Sequence, residues 1–167
     1  MTAFLTTNIG SMPRRSWLFS NQPGLDGKHD HYGTGGTWML PEKFLSAAQD
    51  DATIIAINLQ EKAGLDIITD GEQRRKNYVT YLTSNMSGFD YEKLKPKEMA
   101  GGRRTLLAGR CVGPITHQKS LIVKDLEFTL SKTKKPVKIT LPGPMTVVDS
   151  TADEFYGNER EMAFAWA

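Results

Sequence analysis

Residues 64–75 read Gly-Leu-Asp-Ile-Ile-Thr-Asp-Gly-Glu-Gln-Arg-Arg, and no other stretch limits the fold so strongly. An apolar run ends abruptly in Asp70, Gly71 and Glu72, followed by Arg74 and Arg75. The sequence before it has helical spacing, and Gly64 stops that helix because it reaches positive φ without a Cβ clash. The pattern predicts a short buried strand, Leu65 to Thr69, that delivers carboxylates to one of its ends. In an α/β barrel the carboxyl ends of the strands form the working face. A glutamate held there is placed to bind an amine or move a proton.

Other segments extend this alternation. Phe4 to Ile9 reads as a first strand, closed by Gly10-Ser11-Met12-Pro13. Residues 14–40 are rich in Gly, Pro, Asn and Asp without a clear period, which predicts a long inserted loop. Pro41 opens a helix with Phe44, Leu45, Ala48, Ala52, Ile55, Leu59 and Ala63 at helical spacing. Tyr78, Val79, Leu82 and Met86 predict a short amphipathic helix ending before Gly88. Residues 90–105 are charged and read as an excursion from the main fold, and Leu106 to Ile115 as another apolar segment. Ile122, Leu126 and Leu130 mark a helix whose end carries Lys132, Lys134 and Lys135, favourable beside its negative C-terminus. Val137 to Leu141 predicts a further strand running into Pro142-Gly143-Pro144. Asn158 with Glu161 resembles a capping box for a last helix, whose Met162, Phe164, Ala165 and Trp166 have nothing downstream to pack with.

Strands alternating with helices imply a parallel sheet. The expected class is α/β, of the (β/α)8 barrel type. With 167 residues the chain is short for a barrel, which typically needs about 250. Residues 1–167 are therefore expected to be a fragment of one barrel domain or one half of a two-part assembly, covered by another half or by self-association.

Composition narrows the function classes. A hydrophobic fraction of 39% and a charged fraction of 24% suit a soluble globular protein. No apolar run is long enough to span a bilayer, and the opening residues lack a secretory leader. One cysteine excludes an internal disulfide framework and fits a reducing cytoplasm. A net charge of +2 is too small to imply nucleic-acid binding.

Three expected strand ends look alike: Ile9-Gly10-Ser11, Asp70-Gly71-Glu72 and Leu141-Pro142-Gly143-Pro144. Glycine lets a ligand approach backbone N–H groups. Ser11 offers a hydroxyl to a carboxylate and Glu72 a carboxylate to an ammonium group, together a set for an amino acid. Each motif alone is equally compatible with a purely steric use of glycine in strand-to-helix turns.

At these residues the chain resembles a family. Thr6-Thr7-Asn8-Ile9-Gly10-Ser11-Met12-Pro13-Arg14 resembles the opening of the catalytic barrel of cobalamin-independent methionine synthase. Gln60 to Asp66, continuing to Gly71-Glu72, resembles that family's second-strand motif. Gly109-Arg110-Cys111-Val112 and Leu141-Pro142-Gly143-Pro144-Met145-Thr146 resemble a third and a fourth, in matching order and spacing. The resemblance implies that Ile9, Gly10 and Ser11 hold the homocysteine backbone, that Glu72 holds its amino group, and that Arg110 and Cys111 contact a folate methyl donor. It implies a small-molecule thiol as acceptor and no cobalamin. It also implies a zinc ion that keeps the homocysteine sulfur a nucleophilic thiolate. The family's zinc ligands, His and Cys among them, lie in the second half of its barrel, so the resemblance puts no catalytic residue and no metal ligand in this chain. Ser150 aligns with a tryptophan that stacks on the folate in methionine synthases. Residues 17–38 are longer than the family's loop. Both departures leave room for a relative with another thiol or donor, such as a coenzyme M transferase, or for a non-catalytic binding subunit.

Other residues have plainer readings. His29-Asp30-His31 resembles a metal clip, but zinc needs three or four convergent ligands, and a solvated loop is expected. Cys111 reads as a small buried hydrophobe. Arg74-Arg75-Lys76 and Arg103-Arg104 read as solvated charged faces. Trp17, Phe19, Tyr32 and Trp38 suit either a lid or packing of the loop.

Overall fold

A computed structural model describes residues 4–20, 36–99, 101–118 and 120–167. In chain order its elements are β1 (Phe19–Ser20), β2 (Thr37–Trp38), α1 (Glu42–Lys62), α2 (Thr80–Thr83) and β3 (Phe89–Met99). They continue with β4 (Arg104–Cys111), α3 (Leu121–Leu130), α4 (Pro144–Asp149), β5 (Ala152–Asp153) and α5 (Glu159–Trp166). The chain divides into two compact units. One holds the residues up to Ser20, Trp38–Lys76 and Leu121–Thr140, and the other Asn77–Ser120 and Leu141–Ala167.

The first unit is organised by α1. Glu42 in its first turn and Lys62 in its last oppose the helix dipole. Its buried face is Ala48, Ala52, Thr53, Ala56, Ile57 and Gln60, the spacing of one helical stripe. Leu18, Phe19, Ala48 and Ala52 form a core cluster with Trp38, Leu40 and Leu45 packed against it. Phe19 and Trp38 meet edge to face at 5.1 Å, so these two aromatics pack rather than cover a site. Tyr32 and His29-Asp30-His31 lie outside the described residues. After α1, Gly64 turns at φ +80° and its N–H reaches the Glu61 carbonyl at 3.0 Å.

The three expected strands here are reduced to single bridges, and these are parallel: Thr7 with Ile67, and Ile68 with Val137. The Ile67 N–H donates to the Thr6 carbonyl, and the Lys138 N–H to that of Ile68. No continuous ladder forms among them, but residues 4–9, 65–69 and 137–140 run side by side in one direction. The unit is thus mixed α/β with parallel neighbours, and a closed barrel is not seen among the described residues.

The second unit departs from an all-parallel reading. Residues 90–105, expected to be an excursion, join the apolar segment after them in an antiparallel hairpin of β3 and β4. Asp90 pairs with Arg110 and Lys95 with Ala108, so residues 91–94 oppose only Gly109 across a bulge. The ring of Tyr91 fills the space above Gly109, where a Cβ would lie 2.3 Å from Tyr91 Cε1. β3 is an edge strand in the order β3-β4-β5, which is why Pro96 and many charges are tolerated in it. β5 pairs with β4 in parallel.

The helix expected over residues 78–86 shrinks to α2, and α4, not anticipated, starts at Pro144 behind Gly143. Asn158 caps α5 by accepting from the Arg160 and Glu161 N–H groups. The apolar side of α5 has partners after all. Met162 is fully buried with Val79, Cys111, Ile115, Val147 and Val148, and Ala163, Ala165 and Trp166 pack against that cluster. Burying a methionine this way is worth about 1.5–3 kcal/mol. Phe164 remains 70% exposed. No described helix is long and apolar enough to cross a membrane.

Candidate functional site

The parallel segment 65–69 ends in a turn that points Glu72 inward. Gly71 and Glu72 take φ of +63° and +55°, and Glu72 is the only described non-glycine residue with positive φ. Such a backbone costs about 1–2 kcal/mol and persists only where its surroundings over-determine it. They do so here. Thr69 Oγ1 accepts the Gly71 N–H at 3.1 Å and Asp70 Oδ1 accepts the Glu72 N–H at 3.0 Å. The Gly71 carbonyl accepts the Met12 N–H at 3.1 Å and Gln73 Nε2 at 2.9 Å. Arg14 Nη2 donates to the carbonyls of Glu72 (3.3 Å) and Arg75. A Cβ on Gly71 would lie 2.9 Å from Ala56 Cβ, so glycine is required for space as well as for φ.

The Glu72 side chain, 4% exposed, is clasped by two hydroxyls. Ser11 Oγ donates to Oε2, and Thr140 Oγ1 donates to Oε1 at 2.8 Å. Each carboxylate oxygen has two acceptor positions, and the two bonds described use one on each. Behind it, the fully buried Arg75 donates from Nη1 to the Thr140 carbonyl at 2.7 Å and to Thr140 Oγ1 at 3.2 Å. Arg75 Nη2 stands 3.7 Å from Asp70 Oδ2.

Electrostatics follow from burial. Loss of water pushes the Asp70 carboxyl up from its ordinary value, although Arg75 pulls the other way. Burial lowers the Arg14 guanidinium, Glu72 opposes that, and Arg75 adds to it. Arg74 and Arg75 are not the solvated face expected of them: Arg74 pairs with Asp50 and lies 3.4 Å from Asp125. Its guanidinium also covers the Phe128 ring.

Ser11 and Glu72, both expected site residues, are thus in direct contact. Gly10 turns at φ +74° with nothing within 4 Å of a Cβ, and Ile9 is 88% exposed, so the Ile9–Ser11 segment lies at the surface. Thr140 has no role in the sequence reading, Arg14 enters only through the opening motif, Asp70 only as a second carboxylate at the strand end, and Arg75 only as part of a charged face. The available signal for Thr140 is a polar residue near the end of the Val137 to Leu141 strand.

Arg110 and Cys111 belong to the second unit. Pairing places Arg110 opposite Asp90 and beside Ala152. Its guanidinium bonds Asp90 through Nη2, Glu154 through Nη1 at 2.5 Å, and the Lys93 carbonyl through Nε at 2.6 Å. Burial would lower its pKa, but the bonds to Glu154 and Asp90 raise it overall. Cys111 is fully buried. Its Sγ faces the Gly113 carbonyl at 3.5 Å and burial pushes the thiol up, the behaviour of a packed residue rather than a reactive one.

Among the described residues no three His, Cys, Asp or Glu side chains converge on a metal position. The chemistry of the site is that of a carboxylate, hydroxyls and surface backbone.

Parallel-bridged segments behind a helix, ending at a clasped carboxylate, define a mixed α/β unit. The chain matches the family described as cobalamin-independent synthase, catalytic domain, over residues 4–164, and it belongs to that family. It is 27% identical over 165 residues to the methionine synthase of Sulfolobus acidocaldarius, covering 98% of this chain and 45% of that protein. It is 29% identical over 153 residues to the 5-methyltetrahydropteroyltriglutamate–homocysteine methyltransferase of Yersinia pseudotuberculosis, covering 89% of this chain and 18% of the other. A solved structure of a B12-independent methionine synthase from a Shewanella species, in complex with selenomethionine, superposes with a TM-score of 0.83. The identity is 32%, with 96% of this chain and 44% of that chain covered. The chain therefore spans less than half the length of these relatives.

Proposed function

We propose that residues 1–167 form the N-terminal part of a methionine-synthase-type barrel and contribute its amino-acid-binding end. In this reading the enzyme transfers a methyl group to the sulfur of homocysteine. Glu72 accepts the ammonium group of the amino acid, while Ser11 and the surface backbone of Ile9 and Gly10 receive its carboxylate. The observation that carries the reading is the clasp on Glu72. Two hydroxyls fix a buried carboxylate and use one acceptor position on each oxygen, and three ammonium protons can use the others. Arg110 and Cys111 would stand on the side of the methyl donor, with Cys111 acting through its backbone because its side chain is enclosed. The zinc implied by the resemblance would be held by residues outside this chain, and the methyl donor and a covering C-terminal half or second copy are its other partners.

The test is titration with homocysteine of the longest natural product that carries this chain. An ammonium–carboxylate bond in a sheltered site is worth about 1.5–3 kcal/mol. Glu72→Gln should therefore weaken binding roughly ten- to a hundred-fold. Melting curves recorded in parallel should shift little, because the amide keeps the shape and still accepts from one hydroxyl, while the exposed Ser11 hydroxyl can turn to accept from its NH2. Normal binding by the variant would end the assignment, and unfolding would make Glu72 a structural acid.

A second reading has one specific support. The resemblance aligns Ser150 with a tryptophan that stacks on folate in methionine synthases. The Ser150 hydroxyl turns back onto the Thr146 carbonyl at 2.6 Å, inside a buried helix end. A donor that needs no aromatic platform, with the same thiol chemistry, fits that residue better. Comparing binding of methyltetrahydrofolate to wild type and Ser150→Trp separates the two, because a folate enzyme should bind it without the substitution.

A further inference from the structure

We infer that Thr140 is a positioning residue for Glu72, and that Arg75 fixes the direction in which its hydroxyl points; the inference rests on Glu72 receiving the amine of an amino acid. A threonine hydroxyl has one proton to give and two lone pairs to receive with. A guanidinium has donors only. Arg75 Nη1 lies 3.2 Å from Thr140 Oγ1, so at that contact the oxygen accepts. Its proton must go elsewhere, and Glu72 Oε1 is 2.8 Å away. An ionised carboxylate can only accept. The relay runs one way, from Arg75 through Thr140 to Glu72.

The same Nη1 group also donates to the Thr140 carbonyl at 2.7 Å, which holds the residue's main chain as well. Arg75 is fully buried and Thr140 partly so, which limits competition by water for these bonds. Ser11, the other donor to Glu72, is exposed and has no such cation behind it in the bonds described. One end of the carboxylate is therefore pinned from the protein interior, and the other is held from the solvent side. An ammonium group entering from the Ser11 side meets a carboxylate whose plane Thr140 has already set. Removing the Thr140 hydroxyl frees that plane and leaves Oε1 short of a donor. Losing pre-organisation of this kind weakens binding more than it weakens the fold.

The experiment uses the longest natural product that carries this chain, with two ligands and three variants. The ligands are methionine and methylthiobutanoate, which is methionine without its amino group. Thr140→Val removes the hydroxyl at constant shape, Thr140→Ser restores it, and Glu72→Gln tests the underlying reading. Affinities come from NMR titration, with thermal melts for each variant. Thr140→Val should weaken methionine about ten-fold, as expected for one charge-assisted bond, and change methylthiobutanoate less than about two-fold. Thr140→Ser should bind methionine as wild type does.

If Glu72→Gln weakens methionine but Thr140→Val does not, the Thr140 inference fails and the Glu72 reading stands. If Glu72→Gln binds methionine normally, or wild type binds none, both fall. If Thr140→Val weakens both ligands equally, or Thr140→Ser is as weak as Thr140→Val, the role is structural and the inference is overturned. Should Thr140→Val not fold, Thr140→Ala takes its place with the same required ordering.

Discussion

The side chain of Gln60 pairs with the backbone of Thr69 as a neighbouring strand would. Gln60 Nε2 donates to the Thr69 carbonyl at 2.8 Å, and Gln60 Oε1 accepts the Thr69 N–H at 2.9 Å. The second Nε2 proton goes to the Ala56 carbonyl at 3.1 Å, and Oε1 also accepts Thr69 Oγ1 at 3.3 Å. All four positions on the amide are used and both residues are buried. The contact fixes α1 to the segment that ends at Glu72, so helix placement and site placement are one constraint.

Gln60→Leu should therefore be costly although it fills the space. It leaves the N–H and C=O of Thr69 buried and unpaired, at about 1–3 kcal/mol each before relaxation. A loss of about 2–4 kcal/mol in urea unfolding is expected. A change within experimental error would mean that Thr69 finds other partners and that the clamp is incidental.

The bulge opposite Gly109 gives a second prediction, in the other unit. Gly109→Ala puts a methyl into the ring of Tyr91, whose hydroxyl is bonded to Thr83 Oγ1. The ring cannot swing away without breaking that bond, and overpacking typically costs about 1–3 kcal/mol. Gly109→Ala should therefore lower the melting temperature. In the Tyr91→Ala background the same substitution should cost much less. Equal losses in both backgrounds would show that the glycine is needed for another reason.

These two contacts mark what could be read from sequence and what could not. Helix α1 and its stop at Gly64 were legible because apolar spacing and a positive-φ residue are local signals. So was the Asn158 cap, confined to residues 158–161, although the Asn158 N–H goes to Asp153 Oδ2 and not to Glu161 as a full capping box would have it. The parallel adjacency of residues 4–9, 65–69 and 137–140 followed from alternation, though the bridges are single. The β3–β4 hairpin was hidden because β3 carries charges along an exposed edge and a bulge breaks its two-residue period. Arg75 read as solvated because its partners Asp70 and Thr140 are brought to it only by tertiary structure. Ser11 and Glu72 were legible through glycine-flanked motifs, whereas Thr140 carries no such flank, and only the geometry shows its hydroxyl on Glu72.

Asp70 supplies the last prediction, where two effects oppose each other. Its carboxyl is 2% exposed, and burial disfavours its charged form. Arg75 at 3.7 Å favours that form, but burial is the larger effect and the native pKa is raised. The native state therefore holds this proton more tightly than the unfolded chain, where an aspartate titrates near about 3.9. By linkage, the group's contribution to stability is fully present below that value and is lost as pH rises through the native one. Asp70→Asn keeps the oxygen that accepts the Glu72 N–H and removes the titration. Its stability relative to wild type should thus improve steadily as pH rises from about 4, and level off above the native pKa. Acids held low by their bonds, such as Asp66 with Thr6, act equally in both proteins and cancel in the difference. The measurement is a pair of denaturation series between about pH 4 and 7.5, read as the difference between variant and wild type. A difference that instead moves against the variant with rising pH would mean that attraction to Arg75 outweighs burial, and that the pair is a stabilising salt bridge.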